Sequence, residues 1–191
     1  MPGRRHRFRA ALTAFVAATT LAGCVGAIDR SDFDDEIKRR GGGLTSDLTV
    51  DAFAALGERT GATDPELLHL TISLPSRVVS FEARDPQRRD QVDGYTFRGG
   101  DLSDGDPVQV TGSEPLEART FRASELPALT DLESLADEAL AALGFADSYV
   151  SSVGVWGTTN PPEITLSVES PRSRGSVRFT GDGTLIEAVR Q

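Results

Sequence analysis

The sequence predicts an α+β body of two helix-plus-antiparallel-sheet repeats, (αβββ(β))2, with the helices on one face of the sheet. Three observations lead there. Leu132, Leu135, Ala136, Ala139, Leu140 and Leu143 recur at helical spacing and form one apolar stripe. Several runs of seven or eight residues alternate apolar and polar positions, as half-buried antiparallel strands do. The two halves of the chain also carry these elements in the same order, which is the mark of an internal repeat, here with copies of about 65 residues.

In the first half Thr49 is a fitting N-cap, Val50, Phe53 and Ala54 face inward, Leu48 and Phe53 stand at staple positions, and Gly61 stops the helix. LLHLTISL then places Leu68, Leu70, Ile72 and Leu74 on one face. RVVSFEAR adds Val79, Phe81 and Ala83, and DGYTFRG adds Tyr95 and Phe97. In the second half Thr130 as N-cap with Glu133 at N3 gives capping-box spacing, and Gly144 is the stop. YVSSVGVW offers Tyr149, Val153 and Val155, EITLSVES offers Ile164, Leu166 and Val168, and GSVRFTG offers Val177 and Phe179. Both halves continue as strand, proline-arginine loop, glycine, strand and glycine turn. A fourth strand is clear only in the second, where Gly181-Asp182-Gly183 turns into TLIEAVR. Ala118 to Leu126 supplies one further strand or bridge between the copies.

The N-terminus gives an address. Arg4, Arg5, Arg7 and Arg9 precede an uncharged run from Ala10 to Thr20, then Leu21-Ala22-Gly23-Cys24. That order is the n-region, h-region and cleavage site of an export signal. The apolar run would be about 20 Å long as a helix, too short for a hydrocarbon core of about 30 Å. LAGC resembles the lipobox of bacterial lipoproteins, and the resemblance implies cleavage before Cys24 and diacylglycerol on its thiol. Cys24 is the only cysteine of the chain, as an anchor requires no partner thiol. Residues 1–23 therefore read as a lipoprotein signal peptide. Residues 24–47, acidic then basic with three consecutive glycines, read as a flexible tether. The copies follow as 48–127, which includes a connecting segment, and 128–191. The implied location is the outer face of the cell membrane, or the outer membrane if the envelope has one.

Phe179, Gly181, Asp182, Gly183 and Leu185 give the terminal strand an FxxDGxL-like pattern, and the first copy keeps Phe97, Gly99, Gly100, Asp101 and Leu102 with a shifted turn. With a helix and antiparallel strands before it, this resembles the PepSY family and its tandem relatives, including the secreted beta-lactamase inhibitory proteins. The resemblance implies a fold and a non-catalytic habit of binding other proteins. It implies no target and no contact residue.

Charge narrows the partners. The chain has 20 basic and 29 acidic side chains, and loss of four leader arginines leaves 16 against 29, a net charge of −13. Such a surface repels phosphate backbones, so no nucleic-acid partner is expected. His69 is the only histidine beyond the leader and lies on the strand face opposite Leu70, so it reads as a surface residue rather than a general base. Asp101, Asp104 and Asp106 read as a polar turn rather than a calcium loop. No catalytic residue, cofactor or metal is expected. The polar sheet face is the candidate interaction surface, with Glu82, Arg84, Arg98, Glu169 and Arg178 on its strands and Trp156 at its rim. These features describe an envelope interaction or accessory module with a protein partner and leave its oligomeric state open. The alternative is a lipid carrier, which needs unfilled apolar volume between sheet and helices.

Overall fold

The computed structural model describes residues 47–191. Leu21, Ala22, Gly23 and Cys24, with the rest of the leader and the tether as far as residue 46, lie outside them. Helix α1 (Asp47–Thr60) leads into β1 (Glu66–Ser73), β2 (Val78–Arg84) and β3 (Val92–Arg98). Three two-residue strands follow, β4 (Asp101–Leu102), β5 (Asp106–Pro107) and β6 (Phe121–Arg122). Helix α2 (Leu132–Leu143) then leads into β7 (Tyr149–Trp156), β8 (Glu163–Glu169), β9 (Arg174–Thr180) and β10 (Leu185–Arg190). The class is α+β, an open antiparallel sheet with two helices.

Helix α1 is followed by the meander β1–β2–β3 and α2 by the four-strand meander β7–β8–β9–β10, and the two meanders meet through their first strands. The resulting order is β10-β9-β8-β7-β1-β2-β3-β4. At the seam Leu70 stands opposite Val155 and Ile72 opposite Val153. The inward residues of every long central strand join the helices in one buried cluster. It contains Leu56, Leu70, Ile72, Val79, Phe81, Phe97, Leu132, Leu143, Val153, Ile164, Leu166, Val177 and Phe179. Helix α1 packs on β2 and β3, and α2 on β7 to β10.

Helix α2 buries the expected stripe, with Leu140 partly covered. Gly144 closes it in the left-handed region at φ 58°, its N–H on the Leu140 carbonyl at 2.9 Å. The cap itself is shifted: Asp131, not Thr130, accepts from Ser134 N at 3.2 Å. Thr130 belongs to the preceding 3-10 turn Pro127–Asp131 and bonds the Pro127 carbonyl. Helix α1 departs further from expectation. It is already helical at Asp47 and buries Leu48, Thr49, Ala52 and Leu56, while Val50 is exposed, so Thr49 is an inward residue of the first turn and not the cap. With few large side chains on α1, more than one helical phase satisfies the apolar pattern, and the bulky sheet residues beneath it select this one. Phe53 meets Phe81 at 5.5 Å.

Two strands break simple alternation. A bulge between Leu67 and His69 makes Leu67 an inward residue and sends Leu68 out of the core cluster. A bulge between Val150 and Ser152 does the same to β7: Val150 is buried and Tyr149 is half exposed. An extra residue in one strand reverses side-chain parity beyond it, so expectations made by strict alternation fail on the far side.

The connection between the halves is a strap. Val108 N donates to the Val92 carbonyl at 2.9 Å as the chain leaves β5, and the segment runs over the outer face to Arg119, where it meets Gly157. A Cβ at Gly157 would collide with the Arg119 carbonyl, so this closure needs glycine. The strap then enters the sheet as β6, paired with Glu66 and Leu67. Arg84 fastens it. This arginine was expected on an exposed face but is 6% exposed, because the strap lies over it. Its guanidinium bonds Glu66 at 3.2 Å, Glu117 of the strap and the Arg89 carbonyl. Glu66 in turn receives Arg89 and Arg122.

The Glu117 carboxyl is held below its ordinary range by its own backbone amide and the Arg84 guanidinium. Its contribution is therefore present at neutral pH and lost as pH falls through that lowered value. Arg84→Ala should lower the urea midpoint, since it removes a buried side chain from beneath the strap and leaves Glu117 without its arginine, while Glu66 keeps Arg89 and Arg122. Arg84→Met should cost less than Arg84→Ala because it keeps the packing of the side-chain stem beneath the strap, and equal losses from the two would show that the charged hydrogen bonds rather than packing hold the strap.

Candidate functional site

Among the described residues the inward positions of the sheet are buried against the two helices, and the polar side chains of the strands lie on the outer face. Strand register lays a row of side chains across it: Trp156 of β7 opposite His69 of β1, His69 opposite Glu82 of β2, and Glu82 opposite Gly94 of β3. These are neighbours on one face because directly opposed residues of antiparallel strands point the same way. The row ends where the strap begins, with Val108 close over Gly94.

Trp156 and His69 form the aromatic part of the row. Their rings are stacked, 5.2 Å between centroids and 24° between planes. His69 Nε2 lies 2.9 Å from the Thr71 hydroxyl, which fixes the imidazole along its own strand. The indole leans the same way and covers Gly154, the residue paired with Thr71. A Cβ at position 154 would collide with the six-membered ring, so Gly154 is what lets the indole settle on the sheet. Trp156 nevertheless remains 44% exposed.

Beside these rings is a depression of about 230 Å³, lined by His69, Glu82, Trp156, the strap residues 108–111 and Arg119. Its charged groups differ in their attachments. The Arg119 guanidinium donates to the Thr111 carbonyl at 2.9 Å. The Glu82 carboxylate is half-buried and has no hydrogen bond or ion pair among the described residues.

The other candidate residues do not gather here. Arg84 is buried beneath the strap in its ion cluster, so the expectation that it offers an exposed charge is corrected. Arg178 lies between Glu163 at 2.7 Å and Glu187 at 2.6 Å. Glu169 accepts the Tyr149 hydroxyl at 3.3 Å. Arg98 is exposed near the β4 edge. Asp104 forms an ion pair with Arg59, and no group of three acidic, histidine or cysteine side chains suited to a metal occurs among the described residues. Reading the sequence missed His69 and Gly154 as site residues. The signal was present only in the seam register, which joins residues more than eighty positions apart.

No family model matches the chain, and no curated protein matches it in sequence. Among solved structures its fold is similar to that of a candidate lipoprotein from Clostridium difficile 630. The TM-score is 0.55 at 10% identity, over 75% of this chain and 92% of that one. At that identity the likeness shows the fold alone.

Gly154→Ala should displace the indole while the sheet persists. The expected result is a red shift of the emission of Trp156, the only tryptophan, with an unchanged far-ultraviolet circular dichroism spectrum and a stability loss of about 1 kcal/mol from the disturbed aromatic pair. Unshifted emission would mean that the ring does not rest on Gly154.

Proposed function

We propose that this chain is an exported lipoprotein, anchored through acyl chains on Cys24 to the outer face of a cell membrane. Its body is a non-catalytic interaction or accessory module that meets an envelope protein through the outer sheet face around Trp156. One observation carries the functional part: the inner positions of the sheet are filled by the protein's own helices, while its one tryptophan is left 44% exposed on the other face. A lipid carrier would need apolar volume in the place those helices fill.

The anchor rests on LAGC after an arginine-led apolar run. The C. difficile protein of similar fold is itself a candidate lipoprotein, which accords with this reading. No helix among the described residues is long and apolar enough to cross a membrane. More than one acyl chain gives lasting attachment where a single chain is marginal.

The body itself reads as two copies of one unit. Six positions separate Gly61 from Leu67 and Gly144 from Val150, and both glycines stand at helix ends with positive φ. Immediately after those inward residues each first strand carries its bulge against the second strand. Leu70 then answers to Val153, Phe81 to Leu166, and Phe97 to Phe179. A bulge is a specific feature of a strand pair, so matched bulges at matched distances from matched caps support duplication more strongly than shared alternation.

Mass spectrometry of the membrane fraction should find a mature N-terminus at Cys24 carrying diacylglycerol, and Cys24→Ala should release the protein from that fraction. A mature chain that begins elsewhere would refute the anchor. For the body, photo-crosslinkers at Ser80 and Thr165 on the outer face should trap an envelope protein in living cells, and Trp156→Ala with Arg98→Glu should abolish those adducts. Adducts obtained instead from Val50 or Glu138 on the helix layer would place the interaction on the wrong face.

A further inference from the structure

We infer that the depression between Trp156 and the strap is a receptor for a single basic side chain, a lysine ammonium or an arginine guanidinium, presented by a partner protein. The inference deepens the proposed interaction reading and rests on it. The stacked indole and imidazole both line the depression at one end. Aromatic faces attract cations, and indole does so most strongly. The neighbouring position in the same cross-strand row is Glu82, a half-buried carboxylate with no cationic partner among the described residues. A carboxylate withdrawn from water gains more from an incoming cation than one on an open surface. The other carboxylates that the strap approaches, Glu66 and Glu117, are already taken by arginines. Glu82 is thus the acceptor this face leaves unused.

Arg119 is the counter-charge to be weighed. It lines the same depression, but its guanidinium is drawn to the Thr111 carbonyl at the strap wall. The row of Trp156, His69 and Glu82 lies on the sheet itself and shares its rigidity. An anionic ligand would have Arg119 to bind it and Glu82 to repel it, with the aromatic faces of no use to it. The net charge of −9 for the whole chain, −13 without the leader, also draws basic partners toward the protein at long range.

Because Trp156 is the only tryptophan, its emission reports on this site alone. The test titrates the full-length protein in detergent, at pH 8 and constant ionic strength, with Nα-acetyl-lysine amide, its neutral counterpart Nα-acetyl-norleucine amide and the anionic Nα-acetyl-glutamate amide. The lysine probe should change the emission saturably and the other two should not. Glu82→Gln should weaken the lysine probe at least about tenfold, the loss of roughly 1.4 kcal/mol. Arg119→Gln should leave its binding equal or tighter. Equal responses to lysine and norleucine probes would overturn the inference, as would binding of the glutamate probe that Arg119→Gln abolishes. In either case Trp156-dependent crosslinking in cells would still report separately on the interaction reading.

Discussion

The pairing of β1 with β7 is the constraint on which the rest depends. A meander of three or four strands with one helix buries little apolar surface and leaves a first-strand edge open, so neither half closes a substantial core alone. Antiparallel pairing of the two first strands satisfies both edges at once. It sets Leu70 and Ile72 beside Val155 and Val153, and all four are fully buried. The same pairing creates the outer site: His69 and Trp156 are distant in sequence and become stacked only because the seam fixes this register. A slip by one residue would turn the apolar set outward and part the two rings.

The strap follows from the same arrangement. Joining two units through their first strands leaves the end of β3 far from the start of α2. The chain between them has to cross the sheet, and it does so over the outer face, fastened by Arg84 and by the close fit of Gly157 against Arg119. Part of the face is thereby covered and the remainder becomes a bounded depression. The glycines at 154 and 157 are complementary in this respect, one admitting the indole and the other the strap.

Much of this was legible in the sequence where local chemistry decides. The α2 stripe and its Gly144 stop, the alternation of β2, β3, β8 and β9, and the fourth strand after Gly181-Asp182-Gly183 all follow from periodicity and turn residues. Failures occur where tertiary packing decides. The phase of α1 depends on what lies beneath it, and its own apolar pattern is too sparse to choose between Val50 and Leu48 as inward residues. The bulges invert Leu68 and Tyr149 because no composition signal marks the extra residue. Arg84 looked like a surface charge because strand parity was right but the strap above it was unforeseen. Of the candidate site, Trp156 and Glu82 were identified as facing outward; their closeness through His69 was not, since it belongs to the seam.

The central claim is that the body is closed by its own side chains and acts through its outer face. It is tested most directly by extracting the purified, full-length protein with organic solvent and weighing what comes off. The account predicts no stoichiometric small molecule beyond the acyl chains of the proposed anchor at Cys24, with the protein's mass otherwise that of the polypeptide. One equivalent of a further acylated molecule, released only when the body unfolds, would contradict it and return the space between helices and sheet to a carrier's cavity.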